Sequence, residues 1–234
     1  MHYHGTPITP RSALYELAGR CFCVSFADPR DVDVCHEIGQ SVMLDNGAFG
    51  AWTRGQRTDW PAYYEWSARW LDVPTTWAVI PDVIDGDEDA NDQLIDEWPH
   101  GRRGAPVWHM HETLDRLARL VATWPLVCIG SSAMYAKLGT GPWTRRMAET
   151  MDVACDERGV PRTRLHMLRG LALSDGPYPF FSADSTNVAR NHAAIPSRGK
   201  AATSPGAMAA RIDALQPARR WARPARQDVM ELVA

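Results

Sequence analysis

Short apolar runs that end in a polar side chain recur along the chain, and this alternation restricts the possible folds more than any other feature. The clearest example is residues 179–183, an apolar run with two aromatic side chains that is typical of a buried strand and is followed at once by Asp184. Longer amphipathic stretches separate about seven such runs, as a parallel sheet requires. The predicted strands are residues 21–26, 41–44, 75–80, 105–110, 125–129, 165–168 and 179–183, and an eighth either lies near residues 3–8 or is too weak to recognise.

Polar residues at the ends of several of these strands favour a closed barrel over an open sheet. An open doubly wound sheet places its ligand groups at one switch point, whereas a barrel collects them from many strands at one mouth. The sequence therefore predicts an α/β fold, a (β/α)8 TIM-type barrel that is trimmed or irregular. The polar residues expected at its mouth are Asp45, Asp82, His109, His111, Ser131, Arg169 and Asp184.

The composition is that of an ordinary globular domain, with 45% hydrophobic and 23% charged residues. No apolar run approaches the ~20 residues that cross a bilayer, and the first residues lack the form of a signal peptide, so a cytoplasmic protein is expected. Five cysteines without paired spacing fit a reducing compartment. We expect them to be small buried residues rather than zinc ligands.

Charge is distributed unevenly, although the net charge of −3 does not by itself indicate nucleic acid. Acidic residues concentrate in residues 82–97, and arginines concentrate near the C-terminus. We therefore expect a single domain, residues 1–234, with a basic tail from about residue 204 that either contacts phosphates or is a solvated end. The arginines in question are Arg211, Arg219, Arg220, Arg223 and Arg226.

Two carboxylates on opposite sides of a barrel mouth can act as a nucleophile and a proton carrier. Asp45 and Asp184 are the candidates for these roles, and Asp82 is a candidate acceptor for the N–H groups of a heterocycle. Backbone N–H groups at Gly130 and Ser131 could bind a carbonyl oxygen.

Each acid also has a purely structural interpretation. Asp45 precedes an Asn-Gly turn signal, whereas Asp82 and Asp184 could each cap a helix. His109 could be an ordinary core imidazole.

Two His-x-His pairs provide an alternative, a metal-dependent barrel hydrolase. Alternate residues of a strand point to the same side, so His2 with His4 and His109 with His111 could each present two ligands. Together with His166 and Asp184 they would make a divalent metal site. The position of the first pair at the extreme terminus argues against this alternative.

The strand ends, taken in order over residues 40–192, resemble the motifs of the tRNA-guanine transglycosylases. The last match is the most specific, because Asp184 and the Ala-Arg-Asn of residues 189–191 resemble the nucleophile segment of that family. The remaining matches are Val42 to Phe49 with the DSGGF segment, Ile80 to Asp82 with the base-recognising Asp, Pro106 to His109 with VQG, Cys128 to Ser131 with IGG, and Leu165 to Gly170 with YLMG.

The resemblance implies a base-exchange reaction that needs no cofactor and no metal. Asp184 would attack C1′ of a nucleotide and form a covalent glycosyl-enzyme, and Asp45 would carry the proton. The base would be flipped out of its stack to reach the site. The implied base-binding residues are Asp82, His109, Gly130, Ser131 and Gly170 with Phe49 or Trp52 stacking on the base, and the implied nucleic-acid contacts are Arg190 and Asn187.

Departures from the family pattern favour DNA over tRNA as the substrate. No cysteine follows Cys155, so the C-terminal zinc site is absent, and Asn187 stands where the tRNA enzymes have an arginine. The spacing from Asp184 to Arg190 is shorter, and the family's Pro-Thr-Arg is missing. The chain is closer to the small relatives that insert 7-deazaguanines such as preQ0 into DNA, with a homodimer or a partner protein as possible assemblies. A tRNA enzyme and a catalytically inactive barrel that only binds nucleic acid or a nucleobase remain as alternatives.

Overall fold

The computed structural model describes residues 1–193 and 201–223. Within those residues, nine parallel strands form one sheet in the order β5-β4-β3-β2-β1-β9-β8-β7-β6. The strands are β1 (His2–Gly5), β2 (Cys21–Ser25), β3 (Ser41–Asp45), β4 (Thr76–Val79), β5 (Gly104–Ala105), β6 (Val107–His109), β7 (Leu126–Gly130), β8 (Arg164–Met167) and β9 (Ser182–Ser185).

The two ends of this strand order are neighbours in the chain, because only Pro106 separates β5 from β6. Proline has no N–H, so it interrupts the ladder at this point. The backbone on either side still joins its neighbours: the Ile80 N–H donates to the Ala105 carbonyl at 2.9 Å, and the Cys128 N–H donates to the Pro106 carbonyl at 2.9 Å. We count β5 and β6 as one interrupted strand, which gives eight strands around a (β/α)8-type barrel. The predicted fold class is confirmed.

Helices cover the outside of the barrel, and side chains cap several of them. Asp59, Asp87 and Thr113 each accept a hydrogen bond from a first-turn N–H of the helix that follows. Asp87 rather than Asp82 caps the helix at residues 88–97, so Asp82 is available for another role. The helices are α1 (Arg11–Tyr15), α2 (Val32–Ile38), α3 (Ala48–Thr53), α4 (Trp60–Leu71), α5 (Glu88–Glu97), α6 (Leu114–Thr123), α7 (Gly141–Ala154), α8 (Asn187–Asn191) and α9 (Pro205–Asp213).

Successive side chains of each strand point alternately into and out of the barrel, which separates one inner core from two outer cores. The inner core is a cluster of buried side chains around Tyr3, Cys23, Met43, Val107 and Cys128. Side chains of the opposite parity pack outward against the helices in two larger clusters. All five cysteines are buried and free, as the sequence predicts. Because side chains alternate with a period of two, a residue two positions after an inner-core residue faces the barrel axis one layer higher.

Three element predictions need correction. The last strand is β9, so residues 179–181 precede it and Asp184 lies inside it. The uncertain first strand exists as β1, paired with β2 and β9. The short helix α3, directly after Gly47, was not predicted.

No helix of residues 1–193 and 201–223 is long and apolar enough to cross a membrane. The helix α9 contacts β1, α1 and α8. Of the predicted basic tail, Arg226 lies outside the described residues.

Candidate functional site

A cavity of about 170 Å³ opens at the C-terminal ends of the strands. This volume is below the ~300–1,000 Å³ of sites for drug-sized ligands, so the cavity suits a small molecule. Its lining includes these residues predicted from sequence: Asp45, Phe49, Asp82, His109, Gly130, Ser131, Arg169 and Asp184.

Asp45 ends β3 and is held by one of its two oxygens. In the β2–β3 register Ser25 lies opposite Asp45, and its hydroxyl donates to Asp45 Oδ2 at 2.7 Å. The Gly47 N–H donates to the same oxygen at 3.1 Å, from a left-handed turn with φ 77° that suits glycine. Burial raises the pKa of Asp45 to about 6; the Ser25 hydrogen bond opposes this shift, and the nearby charge of Asp184 adds to it. A carboxyl that titrates near neutral pH is suited to carry a proton.

Asp184 is likewise held by a single oxygen. Its Oδ1 accepts a hydrogen bond from the Arg169 backbone N–H at 2.7 Å and faces His166 Nε2 at 3.2 Å. His166 is fully buried, and its Nδ1 lies 2.8 Å from the Ser182 hydroxyl. The capping interpretation of Asp184 is wrong, because α8 begins beyond Thr186 and has no side-chain cap. These contacts fix the orientation of the Asp184 carboxylate.

The two acids lie on opposite walls of the cavity. Their strands are separated by β1 and β2, so they are three strand positions apart in a barrel of eight. Three of eight positions is nearly half the circumference, and both side chains line the same cavity. This is the arrangement that a nucleophile and a proton carrier acting on one ligand require.

Asp82, Asn46 and His109 form a hydrogen-bonded group on the wall between the acids. Asn46 Nδ2 donates to Asp82 Oδ1 at 2.7 Å, and His109 Nε2 lies 2.9 Å from Asp82 Oδ2. Asn46 also donates to the Ile80 carbonyl at 2.9 Å and accepts from the Ala48 N–H at 2.8 Å. All three side chains are buried. The group therefore presents fixed polar atoms to a ligand.

His109 is fixed from behind by a buried ion pair. The His109 backbone N–H donates to Glu112 Oε2 at 2.9 Å, and Arg116 Nη1 donates to the same oxygen at 2.7 Å. Asn91 Nδ2 donates to Glu112 Oε1 at 2.9 Å. The end of β6, where His109 lies, is thus tied to α5 and α6.

Gly130 and Ser131 line the cavity at the end of β7, but the Ser131 hydroxyl is already engaged. Trp143 Nε1 donates to Ser131 Oγ at 2.9 Å, and this hydroxyl contacts the sulfur of Met110 at 3.7 Å. The Ser131 hydroxyl therefore holds the loop in place. The backbone of Gly130 and Ser131 is the part of this loop that a ligand can contact.

Phe49 and Arg169 meet at the cavity entrance. The Arg169 guanidinium lies 3.8 Å from the centre of the Phe49 ring, a cation–π contact that connects α3 to the loop after β8. Phe49 is 40% exposed, so its ring is accessible from the solvent side.

Two predicted base-binding residues lie outside the lining of this cavity. Trp52, 47% exposed, lines a neighbouring hollow of about 450 Å³ that shares Ala48, Asp82 and Ile84 with the cavity. Gly170 packs against Met167, whose side chain a Cβ at that position would strike. Arg169, one residue earlier, faces the cavity instead.

Asn187 and Arg190 are exposed on α8, which begins at the same end of the barrel as the cavity. Neither of them lines it. The arginines of the tail lie elsewhere: Arg223 pairs with Asp152 in the last turn of α7, and Arg219 lines a hollow beside Arg164 at the start of β8. These two arginines are at the opposite end of the strands, so they are not placed to hold phosphates at the mouth.

The two His-x-His pairs are separated in space. His2 and His4 face Asp213 of α9, at 3.4 and 3.1 Å. His111 lies 2.7 Å from the Ser132 hydroxyl and 3.1 Å from the Gly86 carbonyl. No group of three or more His, Cys, Asp or Glu side chains among the described residues is arranged to hold a metal ion. The ligand set expected for the hydrolase alternative does not form.

Comparison of the chain with protein-family models, with curated proteins and with solved structures finds no match.

Sequence reasoning missed the contributions of Ser25, Asn46 and His166 to this site. The strand pattern could have found Ser25, because it ends β2 as Asp45 ends β3. Asn46 was interpreted only as a turn residue, and His166 only as a metal ligand. Nothing local in the sequence distinguishes a buried histidine that binds a carboxylate from one that binds a metal.

Proposed function

We propose that the protein is a base-exchange transglycosylase that replaces guanine in nucleic acid, preferentially DNA, with a 7-deazaguanine. One observation carries the proposal: two acids on opposite walls of a small cavity are each anchored through one oxygen. Among residues 1–193 and 201–223, both hydrogen bonds to the Asp45 side chain involve Oδ2, and both to the Asp184 side chain involve Oδ1. The second oxygen of each carboxyl is left for chemistry, with one acid on either side of the ligand.

In the first half-reaction Asp184 acts as the nucleophile. Its Oδ2 attacks C1′ of the target nucleotide, the bond from C1′ to the base nitrogen breaks, and the electron pair leaves with the base. Asp45, whose pKa of about 6 keeps a protonated fraction near neutral pH, gives its proton to the departing base. The result is a glycosyl ester on Asp184 and an ionised Asp45.

In the second half-reaction the incoming base replaces the first. Asp45 accepts the proton of its ring N–H, the freed nitrogen attacks C1′, and the ester bond to Asp184 breaks. The proton returns to Asp45 and the charge to Asp184, so the cycle closes without an external acid, base or oxidant. Asp82 and His109 hold the base edge, and Phe49 stacks on its face.

The resemblance to the transglycosylases agrees with this assignment at the positions of Asp45, Asp82 and Asp184. Asn187, which stands where the tRNA enzymes have an arginine, favours DNA over tRNA, and preQ0 is the incoming base that we favour. A flipped or single-stranded nucleotide is required, because the cavity is too narrow for a base pair.

The test is exchange of radiolabelled guanine into single-stranded DNA, duplex DNA and tRNA. We expect wild-type protein to incorporate label into DNA, and Asp184→Ala and Asp184→Asn to lose at least ~1,000-fold of the rate, as a nucleophile should. Asp175 is an exposed acid in the connection between β8 and β9, so Asp175→Asn is the matched control and should retain full activity.

Mass spectrometry of wild-type protein quenched during turnover should find a glycosyl adduct on Asp184. Full exchange activity in Asp184→Ala would disprove the mechanism. Label incorporated only into tRNA would replace the DNA assignment, and tight binding without exchange would favour a barrel that only binds.

A further inference from the structure

One buried nitrogen that borders the cavity lacks a hydrogen-bond partner. His109 is 2% exposed, and its Nε2 is engaged with Asp82, but its Nδ1 has no partner among the described residues. Leaving a buried polar atom without a hydrogen bond destabilises a protein. Because His109 lines the cavity, a ligand can satisfy this atom.

The hydrogen-bond partners of His109 assign its tautomer. Asp82 Oδ1 already accepts from Asn46, and an ionised carboxylate can only accept, so His109 Nε2 carries the proton that joins it to Asp82 Oδ2. In the neutral ring the other nitrogen then carries a lone pair. In this neutral form Nδ1 is an acceptor.

Gly130 keeps the space in front of that lone pair open. A Cβ at residue 130 would lie 2.9 Å from His109 Nδ1, closer than an ordinary contact. Asp82 and His109 Nδ1 therefore form one wall of the cavity. The atoms that this wall offers to a ligand accept hydrogen bonds and donate none.

We propose that His109 Nδ1 accepts a hydrogen bond from an N–H of the bound base, and that this wall selects heterocycles with adjacent N–H donors on one edge. The ring N–H and the exocyclic amine of a 2-amino-6-oxopurine are such a pair. A carbonyl oxygen in the same place would face the lone pair of Nδ1, and two acceptors cannot form a hydrogen bond. A site that offers only acceptors therefore rejects a ligand with an acceptor at that position. The inference rests on the proposed function, because it takes the cavity to be the base site.

The direct test is ¹⁵N NMR of histidine-labelled protein, free and with guanine. The pair of ring signals missing from His109→Gln identifies His109. We expect Nε2 to be protonated in both states, and the Nδ1 signal to remain that of an unprotonated nitrogen and to shift when guanine binds. Guanine binding with Nδ1 protonated would overturn the inference, because the ring would then be donating to a carbonyl.

Calorimetric affinities for guanine, hypoxanthine and xanthine test the selection itself. Hypoxanthine lacks the amine and should bind about 10-fold more weakly, the equivalent of one hydrogen bond, and xanthine more weakly still. Gly130→Ala should lower the affinity for guanine at least ~10-fold and reduce the preference over hypoxanthine, because the methyl group covers Nδ1. Gly141→Ala is the matched control, since a Cβ there meets its nearest side chain at an ordinary 3.5 Å.

Equal affinities for the three bases, or no binding of guanine, would overturn the inference. Guanine binding with the expected NMR signature but without exchange into any nucleic acid would leave the inference standing and disprove the proposed function. Exchange activity in a protein whose Nδ1 is protonated when guanine is bound would support the proposed function and overturn the inference.

Discussion

The Arg169 backbone N–H donates to Asp184 Oδ1 at 2.7 Å, and Arg169 makes this bond from a left-handed conformation with φ 57°. A non-glycine residue in this region is strained by about 1–2 kcal/mol. The same residue places its guanidinium over the Phe49 ring. One strained residue thus orients the proposed nucleophile and contacts the opposite wall of the entrance.

Replacing Arg169 separates its backbone role from its side-chain role. Both Arg169→Gly and Arg169→Ala remove the guanidinium, but only glycine relieves the left-handed strain. After the larger chain entropy of unfolded glycine is subtracted, we expect the glycine variant to be more stable than the alanine variant by about 0.5–1 kcal/mol in urea unfolding. An alanine variant as stable as the glycine variant would show that residue 169 is not strained.

The raised pKa of Asp45 predicts a pH dependence of stability with a definite sign. A carboxyl whose pKa is higher in the folded protein binds its proton more tightly there, so its contribution is fully present below the unfolded pKa, near 4, and is lost as the pH rises through about 6. Asp45→Asn removes this loss. We expect the variant to gain about 2–3 kcal/mol relative to wild type between pH 4 and pH 8, measured by urea unfolding across that range. A difference between the two proteins that is constant with pH would contradict the shift.

Phe49 and Trp52 should differ in their effect on base binding, although both are exposed aromatic residues at the mouth. Phe49 lines the cavity, whereas Trp52 lines the neighbouring hollow. Stacking on an aromatic ring contributes about 1–3 kcal/mol per base, so Phe49→Ala should weaken guanine binding by roughly 10-fold or more. Trp52→Ala should change it less than about 2-fold. Calorimetry with the free base decides this, and the opposite ranking would place the base in the neighbouring hollow.

Arg116 and Arg119 both bind Asp92 but should differ in their importance for folding. Arg116 is fully buried and also binds Glu112 at 2.7 Å, whereas Arg119 is exposed. Removing one partner of a buried ion pair costs about 3–5 kcal/mol, and an exposed pair contributes about 0–1 kcal/mol. Arg116→Met should therefore lower the free energy of unfolding by about 3–5 kcal/mol, and Arg119→Met by less than about 1 kcal/mol. Similar losses in both variants would mean that burial does not decide the effect.

The sequence by itself determined the architecture and the positions of the proposed acids. Apolar runs alternating with amphipathic stretches specify parallel strands and crossover helices, because backbone polarity and side-chain period are local properties. For the same reason Asp45, Asp82 and His109 could be placed at strand ends before the fold was known. Breaks within strands and short helices, such as Pro106 and α3, follow from weaker local signals and were missed.

Only the tertiary structure decided which side chains act together. Ser25 binds Asp45 because the two strands pair in one particular register, and His166 binds Asp184 because β8 adjoins β9. Whether Arg169 or Gly170 faces the cavity depends on a single left-handed residue. These contacts join residues that are distant in the chain, and their energies depend on burial and orientation, which no local pattern records.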